Sequence, residues 1–275
     1  MNTLNHKLTS LEQTLNALGK ITVAVSGGVD SMTLAFVAHR VLGDNAKMVH
    51  SISPAVPPKD TQRIRDFAAK YQWNITFVSS GEIDTPSYQN NPVNRCYYCK
   101  TCLYSTLKAL SFGQVVSGTN LDDLDDYRPG LIAAKEHRIV HPFVEANIDK
   151  QEIRQLALQL GLPTLSSLPA SPCLASRIET GIHIDSNNLG LVDAVEQHLR
   201  SRIDSTTLRC RVKKQQIGIE VDSQTFENLT QQDIDDLKSD IAQITNNFRS
   251  DVPIQFMPYQ RGSAFVGDKQ CQASL

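Results

Sequence analysis

The eleven residues ITVAVSGGVDS, Ile21 to Ser31, constrain the fold of this chain more than any other stretch. Ile21 to Val25 read as a buried strand that passes directly into a glycine turn. Helical periodicity follows at once in MTLAFVAHRVLG. The same alternation continues down the chain. AKMVHSIS, NITFVSS and QVVSGTN read as further strands, with helices through TQRIRDFAAKYQ and through the cysteine segment and LYSTLKAL between them. A leading helix covers residues 5–18 on the spacing of Leu8, Leu11, Leu15 and Leu18, ending at Gly19. RIVHPFVE gives a short fifth strand or extended segment. Asp149 with Glu152 three residues on opens the next helix as a capping box, and Gly161 and Pro163 close it. This pattern predicts an α/β fold with a Rossmann-like parallel sheet covered on both faces.

From about residue 162 to 186 the pattern breaks into a Ser- and Pro-rich stretch too long for a mere connector. A helix from Leu189 to about Arg202 follows. TTLRCRVKKQQIGIEVD then alternates like a hairpin, and a polar helix and the strand PIQFMPYQRG complete a smaller C-terminal α+β domain. The expected domains are residues 1–180 and 181–275. No internal repeat is visible, and GDKQCQASL reads as a loose tail in which Cys271 is inert.

The net charge of −2 provides no overall basic field, so phosphate recognition must be local and a nucleic-acid partner is not expected. No apolar run reaches the roughly 18 residues of a membrane span, and the N-terminus lacks the apolar core of a signal peptide, so a cytoplasmic protein is expected. In a reducing compartment the six cysteines do not read as structural disulfides; clustered ones read as metal ligands or catalytic thiols.

An isolated Gly-Gly would be an ordinary turn. Ser26 to Ser31, SGGVDS, placed where a strand enters a helix, carries more chemistry. Gly27 and Gly28 allow backbone amides to approach an anion, the helix N-terminus adds partial positive charge, and Ser26 and Ser31 add hydroxyls. Asp30 would repel a phosphate and is most useful holding Mg²⁺ against one. The lysine of a Walker A loop is missing.

SGGVDS resembles the PP-loop of the ATP pyrophosphatase superfamily, whose members cleave ATP to AMP and pyrophosphate. The resemblance implies that Ser26, Gly27, Gly28, Asp30 and Ser31 bind ATP with Mg²⁺, with Asp30 catalytic, while a substrate oxygen attacks the α-phosphorus. Gly118 and Asn120 of SGTN are expected at the same crevice, at the carboxyl edge of the sheet. NPVNRCYYCKT, GTNLDDLDDYRPG, SPCLASRIETG and LRCRVKKQQIGIEV, and more faintly YQRGS, are together similar to ATP-dependent sulfur transferases of the LarE type, in the same order over nearly the whole chain. The chain departs from that pattern at Glu179 and Thr180, where members tend to have Pro and Tyr, and at LSSLPA, which replaces a stretch that often includes a tryptophan.

That likeness implies adenylation of a carboxylate on a nicotinate-derived mononucleotide and displacement of AMP by sulfur, in synthesis of a nickel-pincer nucleotide cofactor. Either Cys173 alone gives up its sulfur and becomes dehydroalanine, or Cys96, Cys99 and Cys173 hold a [4Fe-4S] cluster with one iron open to exogenous sulfide. All three cysteines are present, which implies the cluster form. Sulfide or a sulfur donor protein would be the sulfur source, and the chain would be a homo-oligomer, a hexamer by resemblance.

Cys102 extends the spacing, so that Cys96, Cys99 and Cys102 could supply three ligands and leave Cys173 as a separate donor; a bystander thiol is the favoured reading. Zinc is disfavoured by the lack of a second C-x-x-C or H-x₃-H pair. Cys210 alternates with Leu208 and Val212 and reads as core. Arg209, Arg211 and Lys213 fall on the opposite face of that strand, either as a solvated basic edge or, as the family implies, as phosphate contacts. Arg128, Arg177 and Arg261 are further candidates for carboxylate or phosphate forks. Asp122, Asp123, Asp125 and Asp126 read equally as metal-placing residues or as an acidic surface loop. The alternatives kept open are a PP-loop enzyme that thiolates or desulfurates a nucleobase or tRNA, and a non-catalytic nucleotide-binding regulator.

Overall fold

A computed structural model describes residues 3–110, 112–124, 128–248 and 252–266. Its contacts divide the chain into two compact units, Met1–Glu82 with Cys96–Ser171, and Ile83–Arg95 with Pro172–Leu275.

The first unit is built on four parallel strands, β1 (Ile21–Ala24), β2 (Ala46–Ser51), β3 (Ile75–Val78) and β4 (Gln114–Ser117), in the order β3-β2-β1-β4. Neighbouring residues on a strand point to opposite faces, and the core divides accordingly. Val23, Met48 and Val116 pack with Leu11, Leu15, Met32 and Leu156. Val49 and Val115 pack with Tyr104, Leu107, Ala133 and Ala134. Both faces are therefore covered, and the near-continuous apolar strands of the sequence follow from that. The expected fifth strand is a single parallel bridge between Val140 and Val116. It stops there because Pro142, which has no amide proton, starts the short helix Pro142–Glu145. The capping box of Asp149 and Glu152 is present at the start of the helix Lys150–Gln159.

The cysteine segment belongs to the helix Arg95–Ala109, which starts before Cys96, so Cys96, Cys99 and Cys102 all lie on one helix.

In the second unit β5 (Leu208–Val212) and β6 (Ile217–Val221) form the expected antiparallel hairpin, and β7 (Ile254–Pro258) pairs with β6 in parallel. Leu208, Cys210 and Val212 face Val221, Ile219 and Ile217 across the hairpin, all fully buried. Cys210 is thus core, and burial pushes its thiol pKa well above the ordinary range. The helix Ser186–Arg202 is capped by Asp185, and Gln231–Thr245 by a Thr230–Asp233 capping box.

Sequence order conceals that residues 83–95 and 172–180 group with this unit rather than with the first. Asn91 is the reason. Its fully buried side-chain amide donates to the carbonyl oxygens of Glu179 (2.8 Å) and Ile182 (2.9 Å) and accepts from Arg95 (2.8 Å). Its backbone carbonyl accepts from Gly181. Arg95, also buried, lies with its guanidinium 4.4 Å from the ring centroid of Phe265.

Candidate functional site

The strand order places β1 between β2 and β4, with the later strands running to either side of it. Crevices in open α/β sheets form outside the carboxyl ends of strands at such a reversal. β1 ends in Ser26–Ser31 and β4 ends in Ser117–Asn120, so both predicted nucleotide segments meet at this point. Their approach is close. A Cβ at Gly118 would come within 2.8 Å of the Ser31 backbone nitrogen.

The loop is preformed by its own groups. Ser31 Oγ accepts the Ser26 amide (3.0 Å), donates to the Gly28 carbonyl (3.2 Å), and lies 3.1 Å from Ser26 Oγ. Gly28 is the N-cap of the helix Val29–Leu42 and offers no capping side chain, so the first-turn amides keep their capacity for an anion. Gly27 has φ +84°, and a Cβ there would sit 2.9 Å from both Cβ and O of Asp60, so glycine is required on both counts.

Asp30 is the charged centre of the loop. Oδ2 pairs with Lys150 Nζ, while Oδ1 is buried without a hydrogen-bond partner. A buried carboxylate oxygen left unpaired in this position suits a divalent cation, which supplies the missing counter-charge. Burial raises the Asp30 pKa above the ordinary carboxylate value, against the opposing influence of Lys150. Asn120 fits less directly. Its side-chain oxygen accepts the Asp122 amide, and its own amide donates to Asp123, so it caps the turn Leu121–Asp123. Arg128 is exposed and pairs with Asp123 at 2.7 Å. Asp125 and Asp126 lie outside the described residues, as does Cys271.

Four residues near this site carried no sequence signal. Lys150 follows a cap and looks like an ordinary first-turn residue. Asp60 is 2% exposed at the start of the helix Pro58–Tyr71, where it accepts from Arg63 Nη1 (2.7 Å) and Ser171 Oγ (2.8 Å). Arg63 Nη1 also donates to the Gly27 carbonyl (2.8 Å). His50 is buried on β2 between the Val25 carbonyl and Thr61 Oγ1, and burial lowers its pKa.

Within the second unit, Arg177 and Arg211 are not the open phosphate forks that their sequence motifs suggest. Arg177 is 3% exposed. Its Nε and Nη2 bond the Glu196 carboxylate at 2.9 and 3.1 Å, and its Nη1 donates to the carbonyls of Pro172 and Cys173. Arg211 is likewise buried, bonded to Glu220 (2.8 Å) and to the Ser176 carbonyl (2.9 Å). The basic edge expected of this strand is therefore partly interior, because buried carboxylates on a neighbouring helix and strand neutralise it. Arg209 is half-buried, donates to the Leu208 carbonyl, and has its pKa lowered by burial. Arg177 and Arg211 hold the turn Leu174–Arg177, and Cys173, its N-cap, is exposed.

Cys96 is exposed, while Cys99 and Cys102 are partly so. Thiolates three residues apart on a helix have the donor chemistry for a soft metal or cluster. Among the described residues, however, no three His, Cys, Asp or Glu side chains are grouped to hold a metal ion. Nor is any described helix long and apolar enough to cross a membrane.

No family model matches the chain. An uncharacterized protein of Synechocystis sp. is 39% identical over 235 residues, covering 83% of this chain and 86% of the relative. The pyridinium-3,5-bisthiocarboxylic acid mononucleotide synthase of Lactiplantibacillus plantarum is 32% identical over 216 residues, covering 77% and 78%. A glutamine-hydrolyzing GMP synthase subunit from Thermoplasma volcanium is 26% identical over 208 residues, covering 68% and 66%. Likeness of this extent, on a parallel sheet with SGGVDS at its point of reversal, shows that the chain belongs to the PP-loop ATP pyrophosphatase superfamily, as a distant homologue of LarE and with ATP-dependent enzymes among its relatives.

Proposed function

We propose that this protein is an ATP-dependent sulfur transferase that activates a substrate carboxylate as its acyl adenylate, with release of pyrophosphate, and then replaces AMP by sulfur to give a thiocarboxylate. The observation that carries the reading is the pair formed by the preorganised Ser26–Ser31 loop and the buried, unpartnered Oδ1 of Asp30. Together they provide donors for the departing pyrophosphate and a seat for the cation that accompanies it. Preorganised donors and charge neutralisation of this kind stabilise charge as it develops on the leaving group. The likeness to a synthase of a pyridinium bisthiocarboxylic mononucleotide favours a nicotinate-derived mononucleotide as substrate, in nickel-pincer cofactor synthesis.

The exposed Cys173 is the group we assign to the sulfur-transfer step. Cys96, Cys99 and Cys173 would be the residues to hold a [4Fe-4S] cluster, which when bound would supply sulfide; without one, Cys173 would supply its own sulfur.

Two measurements test the proposal. The purified chain, given ATP, Mg²⁺ and a pyridinium dicarboxylate mononucleotide, is expected to release pyrophosphate and, with a sulfur source, to form a product heavier by the replacement of one oxygen by sulfur. Asp30→Asn is expected to lower pyrophosphate release at least about 100-fold, the scale of losing one electrostatic contact in the transition state. Pyrophosphate release without any thiolated product would exclude sulfur transfer, and undiminished release by Asp30→Asn would exclude the role given to Asp30.

A further inference from the structure

The segment 169–173, Pro-Ala-Ser-Pro-Cys, is exposed at every residue, yet it carries the cysteine assigned above to sulfur transfer. A solvated five-residue stretch with two prolines has little packing to fix it. Arg154 holds the carbonyls of Ser166 and Leu168 just before it, and within the segment the Ser171 hydroxyl donates to Oδ2 of Asp60 at 2.8 Å. Asp60 is itself almost wholly buried, and its other oxygen accepts from Arg63 at 2.7 Å. The same Arg63 nitrogen donates to the carbonyl of Gly27, inside the phosphate loop, at 2.8 Å. Gly27 in turn packs so tightly on Asp60 that no side chain fits between them.

A buried carboxylate needs its partners, and hydrogen bonds to a charged group are stronger than neutral ones. Asp60 has two partners, one on its own helix and one in the cysteine-bearing segment. A displacement of the Gly27 carbonyl reaches Asp60 both through Arg63 and by direct contact, and Asp60 passes it to Ser171, two residues before Cys173.

We propose that Asp60 and Ser171 are positioning residues that link occupancy of the phosphate loop to the placement of Cys173. The inference rests on the sulfur-transfer reading for its purpose, but the link itself is a property of these four residues. Nucleotide bound at Ser26–Ser31 draws on the Gly27 backbone, and the Arg63–Asp60–Ser171 chain carries that demand to the cysteine. Sulfur delivery would thereby be timed to the presence of nucleotide, which limits loss of sulfur in its absence.

The test measures alkylation of Cys173 by N-ethylmaleimide at peptide resolution, with and without ATP and Mg²⁺, at ATP concentrations that saturate each variant by calorimetry. Wild type is expected to change its Cys173 labelling rate severalfold on adding ATP, with Cys210, which is buried, unlabelled throughout as an internal control. Ser171→Ala is expected to lose that ATP response and to label about tenfold faster than wild type without ATP, the factor expected when a hydrogen bond to a charged group is released. Ser171→Thr, which keeps the hydroxyl, is expected to restore the response. If Ser171→Ala responds to ATP as wild type does, or if wild type binds ATP with no change at Cys173, the link is refuted while the proposed activity stands. If wild type binds no ATP, the proposed activity fails and the link fails with it.

Discussion

Replacing Arg177 by methionine separates a structural arginine from a substrate fork. Methionine keeps much of the apolar stem, so the loss is mainly electrostatic. The variant leaves Glu196 with the Cys210 amide at 3.1 Å and with Arg200 at 3.6 Å. It also frees the carbonyls of Pro172 and Cys173. Removing one partner of a buried ion pair costs about 3–5 kcal/mol. The two contacts that remain to Glu196 place the expected loss near the lower end of that range. With a urea slope of about 1–3 kcal/mol per molar, the unfolding midpoint falls by roughly 1–3 M. Far-UV circular dichroism reports the transition, and Trp73, the single tryptophan and buried in the first unit, reports that unit by fluorescence. The Arg177→Met, Glu196→Met double variant is expected to recover part of the loss, because no buried charge is then left alone.

Acid provides a second check on the same pair. Burial acts to raise the Glu196 pKa, but Arg177 and the Cys210 amide outweigh it and hold the carboxyl below its ordinary value of 4.5. A depressed carboxylate contributes stability above its unfolded pKa and loses it as pH falls through the folded one. The gap between wild type and Arg177→Met should therefore be full at neutral pH and close in strong acid. An unchanged urea midpoint together with weakened substrate binding would refute this account and return Arg177 to the role of a ligand fork.

Gly27→Ala is expected to destabilise the chain by about 2–5 kcal/mol, from left-handed backbone strain and overlap with Asp60. Gly28→Ala, whose Cβ would meet Ser26 Oγ at 3.8 Å and nothing closer, should cost no more than about 1 kcal/mol, the scale of a helix N-cap preference; equal losses in urea would contradict the packing argument. Asp30 has its pKa raised, so pyrophosphate release should fall with decreasing pH at a midpoint above the ordinary 3.8, and the group's contribution to stability should decline as pH rises through the same range. Lys150→Met removes the main influence opposing burial and should move that midpoint higher in a pH–rate profile. Anaerobic iron and labile-sulfide analysis should find iron lost on changing Cys96, Cys99 or Cys173 to alanine and retained on changing Cys102, whereas a colourless wild type that takes up zinc alone would exclude the cluster.

The sequence by itself determined the parallel α/β architecture and the location of the phosphate loop. Both follow from local rules: β-branched and apolar strands, helical spacing, the Asp149–Glu152 cap, and glycines where a turn must be tight. Even the meeting of SGGVDS with SGTN was legible, since both end strands at one edge of the sheet. Tertiary structure decided which charges are buried and what neutralises them. Arg177 and Arg211 lie in motifs that suggest ligand forks, and only the packing of Glu196 and Glu220 against them turns them inward. Ser171 is far along the chain from Asp60 and Arg63, and none of the three carries a periodic signature, so nothing in their neighbours foretells their meeting beneath Gly27. Periodicity records which side of an element is apolar; it does not record which distant charge will stand opposite, and that pairing determines whether a buried polar group is tolerated.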